Sequence, residues 1–296
     1  MIAGVKRSAF LVPLLLLGGV LCGAAQQIRA LAPCKFVPAG WADGDSFGIE
    51  GPDGKPLTLR LYGADCIEWH VNDETDARRL REQRRYFGIS GRPGASAESI
   101  AAAKQFGRAA AEETARALAR PFTVHTSFAD ARGDGKHRRV YAFVTTAEGE
   151  DLGARLVRLG LARAFGVYRE TADGTSRAEY RARMRDLELQ AARLGMGVWS
   201  RTDWKALPDE RRIQREEEAE LAEATGDAAL PVGTKIDPNS AGRDELMRLP
   251  GIGEVMANRI IEGRPYARLS DLGRVEGIGD ATLARLRPYL EFKSRP

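Results

Sequence analysis

The chain has 296 residues, 43% of them apolar, which is enough to bury a core and excludes wholesale disorder. Three cysteines (Cys22, Cys34, Cys66) form no CxxC pair, and with only three histidines they exclude a disulfide scaffold and a zinc finger. The net charge of +4 conceals a pattern, because residues 26–205 carry +5, residues 206–230 carry −5 and residues 231–296 carry +2. Two basic blocks around an acidic one offer two surfaces for nucleic acid, or simply a solvated exterior; charge alone does not choose.

The N-terminus has the layout of an export signal. Lys6 and Arg7 precede an apolar run from Ala9 to Leu21, and small residues Gly23-Ala24-Ala25 offer a cleavage site before Gln26. The expectation is a signal peptide over residues 1–25 and a secreted or periplasmic protein. The alternative is an uncleaved membrane anchor, although the run is shorter than the roughly 20 residues of a spanning helix. A lipid attachment at Cys22 is disfavoured by bulky Leu21 before it. Export would place Cys34 and Cys66 where disulfides form, and whether the two pair stays open at this level.

From Phe36 to Tyr62 the pattern is short strands and turns, with Phe47–Glu50 and Leu57–Tyr62 flanking the turn cluster Gly51-Pro52-Asp53-Gly54. Residues 69–95 are a charged insertion with a short helix, including the run Arg78-Arg79-Leu80-Arg81-Glu82-Gln83-Arg84-Arg85. Ser96–Ala119 is Ala-rich, helical in spacing and stopped by Pro121. Strands are expected at Phe122–Phe128 and Val140–Thr145, and helices at Asp151–Leu159 and Ser176–Leu194. Arg211–Ala224 is acidic and helix-prone, and 225–233 reads as a linker. Helical stretches at Arg243–Leu249, Val255–Glu262, Leu269–Arg274 and Ala281–Arg287 fill the remainder.

Chemistry concentrates first in Asp43-Gly44-Asp45-Ser46 and in Arg60-Leu61-Tyr62-Gly63-Ala64-Asp65-Cys66-Ile67-Glu68. Acids from adjacent strands can hold a hard cation through oxygen ligands. An arginine beside them can pair with a phosphate oxygen, and a further carboxylate at a strand end can activate water. A pair of polar turns with one exposed salt bridge is the plain alternative.

The joint spacing resembles the thermonuclease family, whose best-known member is staphylococcal nuclease. The resemblance runs from about Cys34 to Trp199 through DGDS (43–46), RLYGADCIE (60–68), AKQFGRAA (103–110), RRVYAFV (138–144), LVRLGLARA (156–164) and GVWS (197–200), in family order. It implies an α+β fold, a five-stranded OB-type β-barrel with packed helices, over residues 34–200. It also implies carboxylate ligation of calcium by Asp45 and Asp65, with the Cys66 backbone carbonyl as a further ligand. Glu68 becomes the general base and Arg60 the phosphate-binding arginine. The second arginine is Arg139 by register to Ala142, or Arg138 if the register slips by one. Tyr168 matches one of the family's base-stacking aromatics; the other position is Gly166, with Phe165 beside it. Two further departures are Ile67 for the usual Pro and Cys66 for a small residue or Thr. The insertion at 69–95 follows Glu68 directly, so it borders the cleft, its arginines meeting phosphates or forming a solvated helix face. His70, His125 and His137 read as surface or core residues.

The second cluster is a doubled Gly-Ile-Gly: Gly251-Ile252-Gly253 and Gly277-Ile278-Gly279, each between helical stretches. Such turns leave backbone N–H groups at the next helix start, a nest for phosphate. Two copies resemble the all-α double helix-hairpin-helix module of bacterial competence DNA receptors, here over residues 234–292 after a charged helix and linker at 201–233. That implies DNA-backbone contacts at Gly251, Gly253, Gly277 and Gly279 without base reading. The same fold serving a protein partner is the alternative.

The combined expectation is a secreted calcium-dependent nuclease acting on DNA, RNA or both, monomeric, without a small-molecule cofactor. The other class is a non-catalytic nucleic-acid-binding protein in DNA uptake or adhesion. All five catalytic-type positions are filled, which favours the enzyme.

Overall fold

The computed structural model describes residues 27–91, 96–131, 139–226 and 234–292. The leader, the 225–233 linker beyond Gly226, Arg138 and His137 lie outside them. The described residues form seven strands: β1 (Arg29–Val37), β2 (Ser46–Glu50), β3 (Pro56–Leu61), β4 (Asp65–Cys66), β5 (Phe122–Asp130), β6 (Arg139–Thr145) and β7 (Ala162–Arg163). Five of them close into a barrel in the order β1-β2-β3-β6-β5, while β4 and β7 form a separate two-residue ladder. The β2–β3 hairpin is set by its turn, where Gly54 takes φ +75° and the Gly51 N–H bonds the Lys55 carbonyl. Its register places Ser46 opposite Arg60. β3 then pairs parallel with β6, Arg60 beside Tyr141.

The barrel is filled by Phe47, Ile49, Leu59, Leu61, Val124, Ala142 and Val144, all buried. The first barrel strand begins at Arg29, ahead of the expected Phe36, because β1 is defined by long-range pairing to β5 and carries Pro33, which disguises it as a loop. Around the barrel lie α1 (Glu74–Tyr86), α2 (Ser96–Ala117), α3 (Leu152–Arg158), α4 (Arg177–Arg193) and α5 (Leu207–Gly226). Asp151 caps α3 through the Ala154 N–H, and Ser176 with Glu179 forms a capping box on α4. α5 lies along α1, with Arg85 clamping Glu217 and Arg211 donating to the Tyr86 carbonyl. Cys34 and Cys66 are both buried and free, so they do not pair. Among the described residues no helix is long and apolar enough to cross a membrane.

The C-terminal unit has its own core, built on Ile236, Leu246, Ile252, Ile260, Ile278 and Leu286. Its helices are α6 (Arg243–Leu246), α7 (Glu254–Glu262) and α8 (Asp280–Leu286), with a 3₁₀ turn at Leu269–Arg274 where a helix was expected. A linker suggests a free-standing unit, but this one is seated against the barrel. Asp244 pairs with Arg79, Glu254 with Arg163 and Glu262 with Arg181.

Candidate active site

The turn before β2 is tied by Asp43, whose Oδ1 accepts the N–H groups of Asp45 (3.1 Å) and Ser46 (2.6 Å). It aims Asp45 inward. Asp45 Oδ2 accepts the Cys66 N–H at 2.7 Å and its Oδ1 accepts the Ser46 hydroxyl at 2.9 Å, so the turn is stitched to β4. Gly44 allows this approach: a Cβ there would meet Ala110 Cβ and Cys66 Sγ, each at 2.7 Å. Arg60, at the inner end of β3, lies 3.3 Å from Asp45 and 2.6 Å from Asp65, and these acids hold its guanidinium firmly charged although it is 7% exposed. Arg139 opens β6 and donates to Ser46 Oγ at 3.2 Å; its buried Nε has no hydrogen-bond partner. Burial and the neighbouring Arg60 push its pKa down. A cation short of partners beside Arg60 is suited to an incoming anion.

Glu68 follows β4. Burial, with the negative charges of Asp45 and Asp65, raises its pKa against the opposing pull of Arg79 and Arg60. Arg79 Nη1 reaches Glu68 Oε1 at 3.3 Å. Burial alone would raise Asp65 too, but Arg163 and Arg60 hold it well below the usual carboxylate range. The structure thus brings Arg60, Glu68, Arg139, Asp45, Asp65 and Cys66 into one cluster.

Four further residues enter it. Asp43 lies inside the quoted DGDS; burial, then Asp45 and Glu68, push its carboxyl well up. Arg163, on β7, holds Asp65 Oδ2 at 2.7 Å. Arg79 and Gln83 come from α1 in the insertion. Gln83 is 1% exposed; its Oε1 accepts the Glu68 N–H at 2.8 Å, and its Nε2 donates to Asp65 Oδ2 at 3.0 Å and to the Cys66 carbonyl at 2.7 Å. Spacing gave no signal for Gln83, since the insertion reaches the site only by folding back. Arg79 was visible only as one of a run of arginines.

The donor chemistry fits a hard divalent cation. Carboxylate and carbonyl oxygens of Asp43, Asp45, Asp65 and Cys66 are the calcium type. Burial first, and then the charges of Asp45 and Glu68, push the Asp43 carboxyl up. As arranged, however, the Gln83 amide lies between Asp65 and the Cys66 carbonyl, and among the described residues no three acidic, His or Cys side chains converge on one point.

Tyr168 is not open to a nucleobase here. It is 5% exposed, packs on Tyr180 and carries the Arg181 guanidinium over its ring at 4.7 Å. It borders a cavity of about 820 Å³ shared by the barrel and the C-terminal unit, lined in part by Tyr62, Tyr141, Arg177 and Glu262. Gly251 (φ +78°) and Gly277 (φ +95°) are the left-handed turn residues of the two hairpins, and the exposed Gly253 and Gly279 cap α7 and α8.

A five-stranded barrel with arginines and acids clustered at one end is thus followed by a unit of paired helical hairpins. Residues 58–201 match the family model described as staphylococcal nuclease homologue, and residues 232–291 match that of the helix-hairpin-helix motif. The chain therefore carries a thermonuclease-like domain followed by a helix-hairpin-helix motif, in the order the motifs suggested. No curated protein gives a significant match.

Proposed function

We propose that the protein is an exported, calcium-dependent nuclease that hydrolyses phosphodiester bonds of DNA, RNA or both, with a C-terminal unit that grips nucleic-acid backbone. The observation that carries this reading is that Arg60, clamped between Asp45 and Asp65, shares the Ser46 hydroxyl with Arg139, while Glu68 is near enough to feel the Arg60 charge. Arg60 and Arg139 bind the non-bridging oxygens of the scissile phosphate and neutralise charge as the fifth bond to phosphorus forms. Glu68 takes a proton from the attacking water; its raised pKa suits a base. The P–O bond to the leaving oxygen then breaks, and that oxygen ends protonated. Asp45, Asp65 and the Cys66 carbonyl would hold calcium, which when bound supplies Lewis-acid stabilisation of the phosphoryl oxygen. Gln83 fixes the main chain of the base and the carboxylate of Asp65.

The hairpin turns support a separate, base-blind contact, because backbone N–H groups at the starts of α7 and α8 carry no sequence information. Calcium dependence is tested by digesting single-stranded DNA, duplex DNA and RNA with calcium and then with excess chelator. Loss of cleavage on chelation and its return with calcium are expected; undiminished cleavage in chelator removes the cation from the reading.

A further inference from the structure

The seated C-terminal unit sets three carboxylates against arginines of the barrel domain, two of them beside the acid–arginine cluster. Asp244 of α6 pairs with Arg79 at 2.7 Å, and the same guanidinium reaches Glu68 at 3.3 Å. Glu254, the first residue of α7, lies 3.5 Å from Arg163, which holds Asp65. Glu262, the last residue of α7, takes Arg181 at 2.8 Å and Arg177 at 3.6 Å, and it accepts the Tyr168 N–H at 3.0 Å. Guanidinium forks and free N–H groups bind carboxylate and phosphate with the same geometry. Glu254 and Glu262 are about 12 Å apart along α7, comparable to about three to four steps of duplex rise at about 3.4 Å each.

With the unit seated, Arg60 is 7% exposed and the Glu68 side chain 12%, and the guanidiniums of Arg79, Arg163 and Arg181 are already taken by its acids. Within its own unit Glu254 also pairs with Arg243 at 2.8 Å and Asp244 lies 3.7 Å from that arginine, whereas Glu262 takes Arg177 and Arg181 of the barrel domain. Ile261 packs against the barrel core beside these ion pairs, and it is the ion pairs that a polyanion at higher local charge density displaces.

We infer that Arg79, Arg163, Arg181 and Arg177 form the track of the substrate strand, on which the C-terminal unit's Asp244, Glu254 and Glu262 stand in for phosphates until nucleic acid displaces them. The track rests on the nuclease reading for its purpose, but not for its test. Hairpin binding to DNA would pull the unit off the cleft and free the track, coupling grip to access.

The test is fluorescence anisotropy of a short single-stranded oligonucleotide with the full-length chain in chelator. The Asp244→Asn, Glu254→Gln, Glu262→Gln protein is expected to bind roughly tenfold more tightly, because the closed state no longer competes. An exposed control with the same charge change (Asp53→Asn, Glu148→Gln, Glu220→Gln) should gain much less. Adding Arg177→Gln and Arg181→Gln to the opened protein should remove the gain. Glu262→Gln alone should give part of it, which keeps the test alive if the triple variant misfolds. Binding unchanged or weakened in the opened proteins, or a gain matched by the control, overturns the track. If the opened protein binds more tightly but wild type cleaves nothing with calcium, the track stands and the nuclease reading fails. If wild type cleaves but opening changes no binding, only the track fails.

Discussion

Each residue at the centre of the cluster does one thing that its neighbours make possible. For Glu68 as the proposed base, burial raises the carboxyl's pKa while Arg79 restrains it. Glu68→Gln should therefore lower turnover by roughly 100-fold or more with the fold intact. The acid limb of the pH–rate profile should lie above the ordinary 4.5 of a glutamate, because activity requires the deprotonated form. Arg79→Gln removes a positive neighbour, so that limb should move to higher pH; a limb that stays put detaches Arg79 from the base. Gln83→Met keeps the volume but deletes three hydrogen bonds. Its kcat should fall roughly 10- to 100-fold, as when partners of metal ligands are lost, with KM little changed. Steady-state kinetics separates this from a general loss of folded protein. Arg60, Asp65 and Glu68 were legible because they lie within nine residues on and after one strand. Gln83 was not, because 18 residues of chain separate it from the Asp65 carboxylate it holds, and Arg163, although inside the quoted LVRLGLARA, showed no role across the 98 residues that separate it from that carboxylate.

At the scale of elements, α2 positions the cluster from behind. A Cβ on Gly107 would come within 2.4 Å of the Ile67 carbonyl and 2.9 Å of Trp69 Cβ. Gly107→Ala should therefore push α2 off the segment that carries Glu68, costing about 1–3 kcal/mol and lowering turnover together with stability. Urea midpoints and kcat measured on the same preparation check it, and an unchanged pair would mean that α2 can shift without disturbing Glu68. The helices were readable because their periodicity and caps are local: Ser176–Leu194 was expected and Arg177–Arg193 is found. The Asp65↔Arg163 pairing of β4 with β7 has only two residues a side, too short for any alternation to announce it.

In the whole molecule, the proposed grip and access are linked by the seated C-terminal unit, and the linker in the sequence gives no sign of this contact because a linker says nothing about surface complementarity. Removal of the residues beyond about Thr225 should expose the cleft and lower KM for short oligonucleotides. The same removal should weaken low-salt binding to plasmid, because tethering is lost. The salt slope of the grip should be shallow, since few cations surround the hairpins. Export predicts a mature N-terminus near Gln26 in the periplasm or medium; a chain still starting at Met1 in the membrane fraction points to the anchor. The central claim is that this acid–arginine cluster hydrolyses phosphodiesters with Glu68 as base. Its most direct test compares wild type with folded Glu68→Gln protein on single-stranded DNA in calcium, under single-turnover conditions. Cleavage by wild type and a roughly 100-fold slower variant is the predicted result. Equal rates in the two proteins, or binding without cleavage by wild type, would contradict it.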